Sequence, residues 1–393
     1  MTAAPPTFRS TRWLRFGWPL GVFLVSRLGI ALVAYLAAAL LVDNPSPPPY
    51  HLRGQENLLL DVFGSRWDTG FYVSIAEEGY RLDGVPLPSV PFFPLLPLAM
   101  RAGAWLLGDA VPAGILISNL ALLGATLLLY ALVEASDGRS VARRAVWYFC
   151  IFPTAFFGSA IYSESLFLLG AIGSLWLARR GLWESAAMLG VLTALTRFTG
   201  ILVAPMLLAE WWSQRGRTPS GASRPSALAL LAPAAVPLGT LAYMLFLRLR
   251  FGDGLAFVHA SAVWGRRPAG PGQLLAGLAA RPTGGWSAAL LAGRLPLDNA
   301  LDLAFLLLFL VLGLALLRRR RWPEACLVIS GLLVSGGSGL LMSQRRYVWA
   351  LFPAFIALAW WGRRPWVDRL IMALSLLLLG LFTALFAKGF WVA

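Results

Sequence analysis

Charged residues are scarce in this 393-residue chain. They make up 13% of it, about half of the share of roughly 25% that is typical of soluble globular proteins. Hydrophobic residues account for 58%, and runs of about 20 apolar residues recur along the whole length. A strict alternation of apolar and polar residues is absent, which argues against a transmembrane barrel. The composition therefore disfavours a soluble enzyme and predicts an all-α protein that crosses the membrane many times.

Residues that bind metals and nucleotides are also rare. The two cysteines, Cys150 and Cys326, lie in apolar runs, where cysteine serves as a small core residue. The two histidines, His51 and His259, have no HExxH motif and no cysteine partner, so we expect no metal site. A phosphate-binding glycine loop, a dinucleotide fingerprint and a DxD triplet are missing as well. We therefore expect no cofactor and no soluble-type nucleotide-sugar site.

The charge that is present is mainly positive, with 33 Lys and Arg against 18 Asp and Glu and a net charge of +15. In a soluble protein this excess would suggest nucleic acid. Here most arginines lie in short loops between apolar runs, where they orient a membrane protein, so no nucleic-acid partner is expected. Arg9, Arg12 and Arg15 predict a cytoplasmic N-terminus. The apolar run at 16–42 is too long for a signal-peptide core and predicts an uncleaved first span.

The same rules predict a single transmembrane domain, residues 1–393, with about 11 spans in the plasma (inner) membrane. One of these spans is expected at about 145–161. Two long segments, 43–107 and 248–296, are predicted to lie on the extracytoplasmic face. Every short basic cluster then falls in the cytoplasm except Arg345–Arg346.

Two apolar stretches need a special interpretation. The stretch at 92–107 is broken by prolines and carries Arg101, and a full crossing would place every later basic loop on the wrong side. We therefore predict an interfacial or re-entrant helix on the outer face. The stretch at 182–212 is long for one span and short for two. It predicts two short helices that meet at Arg197, with the guanidinium facing a wet outer cavity.

The first outer segment contains the stretch RWDTGFYVSIAEEGY, residues 66–80, which is polar, aromatic and acidic. Residues from Thr69 to Glu78 can form a short helix that stops at Gly79. Asp68 would then lie at the N-terminus of this helix. There it could cap the free amides, or it could act as a general base that takes a proton from an incoming hydroxyl.

Other carboxylates compete with Asp68 for the catalytic role. Glu77 and Glu78 lie in the same stretch, and one of them could face a cleft. Glu164, in the sequence YSES at the predicted outer end of two helices, is the second candidate, although it could also cap the helix that follows. The candidate catalytic residues are Asp68, Glu164 and Glu78.

The outer arginines are suited to binding phosphate. A phosphate leaving group departs as a stable anion, so it needs cationic and hydrogen-bonding stabilisation more than a proton. Interfacial arginines could instead extend to lipid headgroups. Trp67 and Trp264 stand in otherwise polar loops and could support a sugar ring. The candidate substrate-binding residues are Trp67, Tyr80, Arg197, Trp264, Arg266, Arg345, Arg346 and Tyr347.

Several motifs occur together and in order between residues 66 and 353. They are RWDTGFYVSIAEEGY, VPFFPLLPL, FPTAFFGSAIYSESLFLL, ALTRFTG, FGDGLAF with WGR, and RRYVWALFP. This series resembles the GT-C superfamily of membrane glycosyltransferases and, more narrowly, a bacterial relative of the PIG-V mannosyltransferases of GPI-anchor synthesis. The resemblance implies a GT-C-type fold with juxtamembrane helices in the first outer loop. It also implies a catalytic aspartate in that loop, which maps to Asp68.

The resemblance further implies an inverting transfer from a polyprenyl-phosphate sugar, without a nucleotide sugar and often without a metal. We expect a hexose, with mannose first, to pass to a lipid or glycan acceptor on the outer face of the bilayer. Two alternatives stay open. One is a GT-C enzyme that uses another sugar, such as arabinose, and the other is a lipid or polysaccharide transporter. A transporter predicts charged residues within the spans along a path to the cytoplasm, and only Arg27 and Arg197 lie there.

Overall fold

The structure is a computed structural model that describes residues 10–48, 50, 52, 57–216, 225–266, 286–292, 295 and 297–392. Arg9, His51 and much of the predicted second outer segment, including 267–285, lie outside the described residues. All regular secondary structure in the described ranges is helical. The predicted all-α class is confirmed.

Eighteen α-helices occur in the described part of the chain. The first nine are α1 Ser10–Leu40, α2 Leu58–Gly64, α3 Thr69–Glu77, α4 Leu95–Leu107, α5 Ala110–Asp137, α6 Arg139–Cys150, α7 Glu164–Ala178, α8 Trp183–Ala194 and α9 Val203–Gly216. The others are α10 Leu231–Ala235, α11 Pro237–Phe251, α12 Ala256–Ser261, α13 Trp286–Leu291, α14 Leu297–Arg318, α15 Trp322–Gly336, α16 Gln344–Trp349, α17 Ala354–Trp361 and α18 Pro365–Ala387.

Five helical segments are long and apolar enough to cross a membrane. They are Arg15–Leu40, Ala110–Asp137, Ala227–Phe251, Leu297–Arg318 and Pro365–Ala387. Shorter apolar helices add Leu95–Leu107, Glu164–Ala178 and Trp322–Gly336. A multi-pass membrane protein is therefore supported, while the count of about 11 spans stays a prediction.

The predicted span at 145–161 is wrong in its extent. Helix α6 ends at Cys150, and a turn and a short 3-10 helix, Ala155–Gly158, follow. A proline at 153 cannot continue the helix. Arg27 of α1 binds the carbonyl groups that the break leaves free, donating to the Cys150 carbonyl at 3.0 Å and to the Ala155 carbonyl at 2.8 Å. The chain is thus broken where it turns toward Glu164.

The two-helix interpretation of the stretch at 182–212 is confirmed. Helix α8 ends at Ala194, and a 3-10 helix, Phe198–Leu202, leads into α9. Arg197 lies in the break with an extended backbone, φ −168° and ψ 159°. A residue in this conformation can turn its side chain away from both helices.

Helix α7 connects two ionic regions. Glu164 is its first residue, and Arg179 follows its last. Arg179 binds Glu210 of α9 at 3.1 Å and Glu324 of α15 at 2.7 Å. Both of these carboxylates are buried, so this ion network closes the packing at one end of α7. Glu164 stands at the other end.

Helix α3 and the loop before it are packed closely. Gly79, with φ 94°, ends the helix as predicted, because a positive φ suits glycine. Gly70 lies against the backbone of Tyr50, and a Cβ built on Gly70 would stand 2.1 Å from the Tyr50 carbonyl oxygen. The first turn of α3 therefore requires glycine at position 70.

We expect Gly70→Ala to lower the thermal midpoint of the purified protein in detergent, because backbone must move to relieve the contact. Overpacking of this kind costs about 1–3 kcal/mol. Gly21→Ala is the matched control, since nothing lies within 4 Å of a Cβ at that helical position. Alanine there should leave the midpoint unchanged or raise it slightly. Equal midpoints for the two variants would contradict the close packing of Gly70.

Candidate active site

A cavity of about 630 Å³ lies between α3, the start of α7, the break at Arg197 and the short helix α16. Its lining includes two carboxylates, three guanidiniums and the phenol of Tyr347. The charged residues are Asp68, Glu164, Arg197, Arg266 and Arg346. They come from positions far apart in the chain, so only the folded protein brings them together. Aromatic and aliphatic side chains form the remaining walls.

Asp68 faces Arg346 rather than its own helix. Its side chain makes no capping bond to α3 among the described residues. Instead the Asp68 Oδ2 atom accepts a hydrogen bond from Arg346 Nη1 at 2.8 Å. The Asp68 amide donates to the Tyr162 hydroxyl at 3.2 Å, which fixes the backbone at this point. The capping alternative for Asp68 is therefore wrong.

The preceding residue, Trp67, has φ 53°, a left-handed conformation that is rare for a large side chain. Its ring lines the cavity and meets the ring of Trp391 edge-on, with the centroids 4.7 Å apart. Such outliers persist only where the surroundings hold them, and they are frequent at functional sites. The turn at Trp67 is what presents both Trp67 and Asp68 to the cavity.

Glu164 lies deeper than Asp68, with only 1% of its surface exposed. Its Oε1 atom is 2.9 Å from Arg197 Nη1 and 3.3 Å from Arg346 Nε. Arg346 is thus shared by two carboxylates, and Glu164 is shared by two guanidiniums. A buried charge without partners is costly, so each of these groups stabilises the position of the next.

The structure changes the assignment within the arginine pair. Arg346 points into the cavity, whereas Arg345, which the sequence analysis placed among the phosphate ligands, is turned the other way. Arg345 is 1% exposed and pairs through Nε with Asp302 of α14 at 2.9 Å. Its Nη2 atom lies 3.1 Å from Asp298. Neighbouring residues of a helix point about 100° apart, and here Arg346 points to the cavity while Arg345 points to α14.

Tyr347 is surrounded by positive charge. Its hydroxyl accepts hydrogen bonds from Arg266 Nη2 at 2.5 Å and from Arg346 Nη2 at 3.3 Å. The Arg197 guanidinium lies 5.4 Å from the centre of its ring. Burial alone would raise the pKa of the Tyr347 phenol, but Arg266, Arg346 and Arg197 outweigh it and bring the pKa below the ordinary value of 10.0. The charges also act in return: burial would lower the pKa of Arg346, yet Tyr347, Asp68 and Glu164 raise it.

The other predicted site residues divide into two groups. Trp264 lines the cavity and packs edge-on against Phe71, with centroids 5.8 Å apart. Tyr80 instead donates its hydroxyl to the Phe92 carbonyl at 2.8 Å, so it supports the wall from behind. Glu78 is exposed and pairs with Arg81 at the surface. The structure therefore does not bring Tyr80 or Glu78 to the cavity.

Tyr50, Tyr162 and Trp391 are among the lining residues that were not predicted from the sequence. Burial, with Asp68 nearby, raises the pKa of Tyr50 to about 12, so this phenol is protonated at neutral pH. Tyr162 is the first residue of the YSES sequence that contains the candidate Glu164. Its position could therefore have indicated that it lies at the site. Trp391 comes from the far end of the chain, where a tryptophan after the last span reads as an interfacial anchor.

The charged residues of the cavity leave a positive excess. Arg197, Arg266 and Arg346 contribute three positive charges, and Asp68 and Glu164 contribute two negative charges. The sum of +1 favours an anionic ligand. A carboxylate, several guanidinium donors and aromatic walls together can bind a phosphorylated sugar and accept a proton from a hydroxyl.

We expect Tyr347 to ionise below pH 10 in the native protein. Its titration can be followed as the difference in phenolate absorbance at alkaline pH between the native protein and Tyr347→Phe. Because the folded pKa is depressed, the phenolate adds stability that is complete above the unfolded pKa and is lost as the pH falls through the folded pKa. The native protein should therefore gain stability over Tyr347→Phe as the pH rises toward 10. A difference titration centred at or above 10 would contradict the described surroundings of Tyr347.

Comparison with known proteins was made by sequence and by structure. GPI alpha-1,6-mannosyltransferase 2 of Rattus norvegicus is 29% identical over 180 residues, which are 42% of this chain and 36% of the relative. The Mus musculus protein of the same name is 32% identical over 155 residues, 37% of this chain and 31% of the relative. The matched segments thus span about a third of these curated relatives.

Among solved structures, the apo form of the Archaeoglobus fulgidus oligosaccharyltransferase has a TM-score of 0.45 and 14% identity, over 97% of this chain and 57% of that one. The same organism's oligosaccharyltransferase AglB in complex with an inhibitory peptide and a dolichol-phosphate has a TM-score of 0.43 and 14% identity, over 96% and 56%. A family model described as Mannosyltransferase (PIG-V) matches residues 18–212, which include Asp68, Glu164 and Arg197. By this match, residues 18–212, about half of the chain, are those of a PIG-V-like mannosyltransferase.

Proposed function

We propose that this protein is a membrane glycosyltransferase that moves a hexose, with mannose first, from a polyprenyl-phosphate sugar to an acceptor hydroxyl. The observation that carries the proposal is the contact between Asp68 and Arg346 in a cavity with further guanidiniums. A base for the acceptor and a cation for the leaving group thereby stand side by side. The match of residues 18–212 to a mannosyltransferase family model supports the same reaction class.

In the proposed reaction, Asp68 accepts the proton of the acceptor hydroxyl while its oxygen attacks the anomeric carbon. The new bond joins this oxygen to the anomeric carbon, and the bond from that carbon to the phosphate oxygen breaks. The electron pair leaves with the phosphate, and attack from the opposite side inverts the configuration. A positioned general base of this kind contributes about 10²–10⁴-fold to the rate.

Three guanidiniums are proposed to hold the phosphate. Arg346, Arg197 and Arg266 all line the cavity, and hydrogen bonds from guanidinium to phosphate are strong because both groups are charged. In this proposal Glu164 is not the base. It is committed to Arg197 and Arg346, so its role is to fix the two guanidiniums.

The cavity also has a wall suited to a lipid. Leu202, Phe257 and Val258 line it on the side of α12 and the 3-10 helix after Arg197, and Met342 adds to this wall from the loop before α16. A polyprenyl chain is entirely hydrocarbon, so it gains free energy from contact with such a surface. We propose that the first isoprene units of the donor lie there, while Trp67 and Trp264 flank the sugar.

We propose that the cavity opens to the extracytoplasmic face. Arg179–Arg180 and Arg318–Arg321 lie at the C-terminal ends of α7 and α14. In the first turns of these helices, Glu164 lines the cavity and Asp298 pairs with Arg345, the neighbour of Arg346. Because basic clusters stay in the cytoplasm, the cavity end would face outward.

Transfer of another sugar, such as arabinose, would use the same residues. Lipid or polysaccharide transport has less support. The Arg27 guanidinium is bound to backbone carbonyls, so it is not a charge that lines a transport path between α1 and its neighbours.

Asp68→Asn should reduce transfer from a polyprenyl-phosphate mannose by about 10²–10⁴-fold, because an amide cannot accept the hydroxyl proton. The protein should stay folded, since the amide oxygen can still accept from Arg346. Glu78→Gln is the matched control, because that carboxylate is exposed and lies outside the cavity, and it should transfer at the native rate. Mass spectrometry of the glycolipid product measures both. Native-level transfer by folded Asp68→Asn would remove Asp68 as the base.

A further inference from the structure

Helix α16 carries Arg346 and Tyr347 into the cavity, yet it has only six residues. A helix this short is not stable without tertiary contacts. Its N-cap residue, Ser343, has φ 74° and, within the described residues, makes no side-chain capping bond. The amides of Gln344, Arg346 and Tyr347 donate to the carbonyls of Leu341 and Ser343, so the Arg345 amide is the one that needs an acceptor from elsewhere.

Asp302 of α14 supplies that acceptor. Its Oδ1 atom accepts a hydrogen bond from the backbone amide of Arg345 at 2.8 Å and a second one from Arg345 Nε at 2.9 Å. One carboxylate oxygen thus binds both the main chain and the side chain of the same residue. Asp302 is 1% exposed, so water does not compete with these bonds.

Other contacts hold the same helix, among them the Gln344 side chain, which donates to the Ser335 carbonyl at 3.1 Å and to the Leu340 carbonyl at 3.0 Å. The Thr154 hydroxyl donates to the Arg345 carbonyl at 3.1 Å, and Trp349 donates from its ring to the Phe149 carbonyl at 3.1 Å. None of these contacts binds both the main chain and the side chain of one residue. Asp302 holds the backbone and the side chain of Arg345 together, which fixes the rotation. Turning Arg345 toward Asp302 directs the next two side chains, Arg346 and Tyr347, toward the cavity.

We propose that Asp302 is a positioning residue: by binding the amide and guanidinium of Arg345, it fixes α16 in the rotation that presents Arg346 and Tyr347 to the substrate phosphate. The inference rests on the proposed function for the identity of that phosphate. The geometry of α16 itself does not depend on the reaction.

The decisive test compares two double variants that remove both buried charges. Asp302→Leu with Arg345→Met removes the ion pair and the acceptor for the amide of residue 345. Asp302→Asn with Arg345→Met removes the same charges but keeps a carbonyl oxygen at the capping position. Asp302→Ala alone is not informative, because it leaves Arg345 buried with only the exposed Asp298 as partner.

We expect both double variants to fold, with similar thermal midpoints. The Leu/Met variant should lose at least about 10-fold in kcat/KM for polyprenyl-phosphate mannose, a 1.4 kcal/mol effect that misplacement of one phosphate ligand can cause. The Asn/Met variant keeps the acceptor for the amide but not the bond to the guanidinium, so its kcat/KM should lie between those of Leu/Met and the native protein. Equal kcat/KM in two folded variants would overturn the positioning role.

A second readout needs no substrate. The Tyr347 titration, taken as a difference from each variant combined with Tyr347→Phe, should move toward 10 in Leu/Met and move less in Asn/Met. If the native protein transfers no sugar but the titration shifts as expected, the proposed function fails and the positioning role stands. An unchanged titration in Leu/Met would overturn the positioning role. If Leu/Met does not fold, Asp302→Glu replaces it, because the charge is kept while the carboxylate moves by one methylene, and the same titration shift is expected.

Discussion

The site depends on one buried guanidinium. Arg346 is 6% exposed and lies between Asp68, at 2.8 Å, and Glu164, at 3.3 Å. Removing an ion from water costs several kcal/mol unless partners replace the lost hydration. These partners come from chain positions more than 90 residues apart, and they reach Arg346 only when α3, α7 and α16 are packed together. Formation of the cavity and completion of the helical packing are therefore one event.

Helix α7 has a buried ion network at each of its ends. Its 15 residues span about 22 Å between Glu164 and Arg179. Arg179 holds buried Glu210 and Glu324, just as Glu164 holds Arg197 and Arg346. Buried ion pairs add little net stability compared with apolar packing, but breaking one is costly. We infer that the two networks mainly fix how α7 sits against α9, α15 and α16.

Part of this site could be predicted from the sequence. Asp68 and Glu164 stand out because acidic residues are rare in a chain of apolar helices, and Arg197 interrupts a long apolar stretch. The choice between Arg345 and Arg346 could not be made in this way. It depends on the rotation of α16, which is set by Asp302, more than 40 residues earlier in the chain. Trp391 was missed for a similar reason, since only tertiary packing brings it to Trp67.

Local sequence signals were also insufficient to place every helix end. Turn chemistry located α3 within one residue, because Gly79 ends the helix that was predicted from Thr69 to Glu78. Hydropathy failed for the predicted span at 145–161. There Arg27, from helix α1, donates hydrogen bonds to the free carbonyls of Cys150 and Ala155. A break that is stabilised from outside the segment leaves only a proline as a local signal.

The positive excess of the cavity has a consequence for the proposed reaction. A polyprenyl-phosphate sugar is a phosphodiester with one negative charge, which the net charge of +1 from Asp68, Glu164 and the three arginines would balance. As the sugar leaves, the phosphate becomes a monoester and gains negative charge, while Asp68 loses its own by accepting a proton. Arg346 then exchanges its carboxylate partner for the phosphate. The cations of the site thus interact more strongly with the transition state than with the bound donor, which is the condition for rate acceleration.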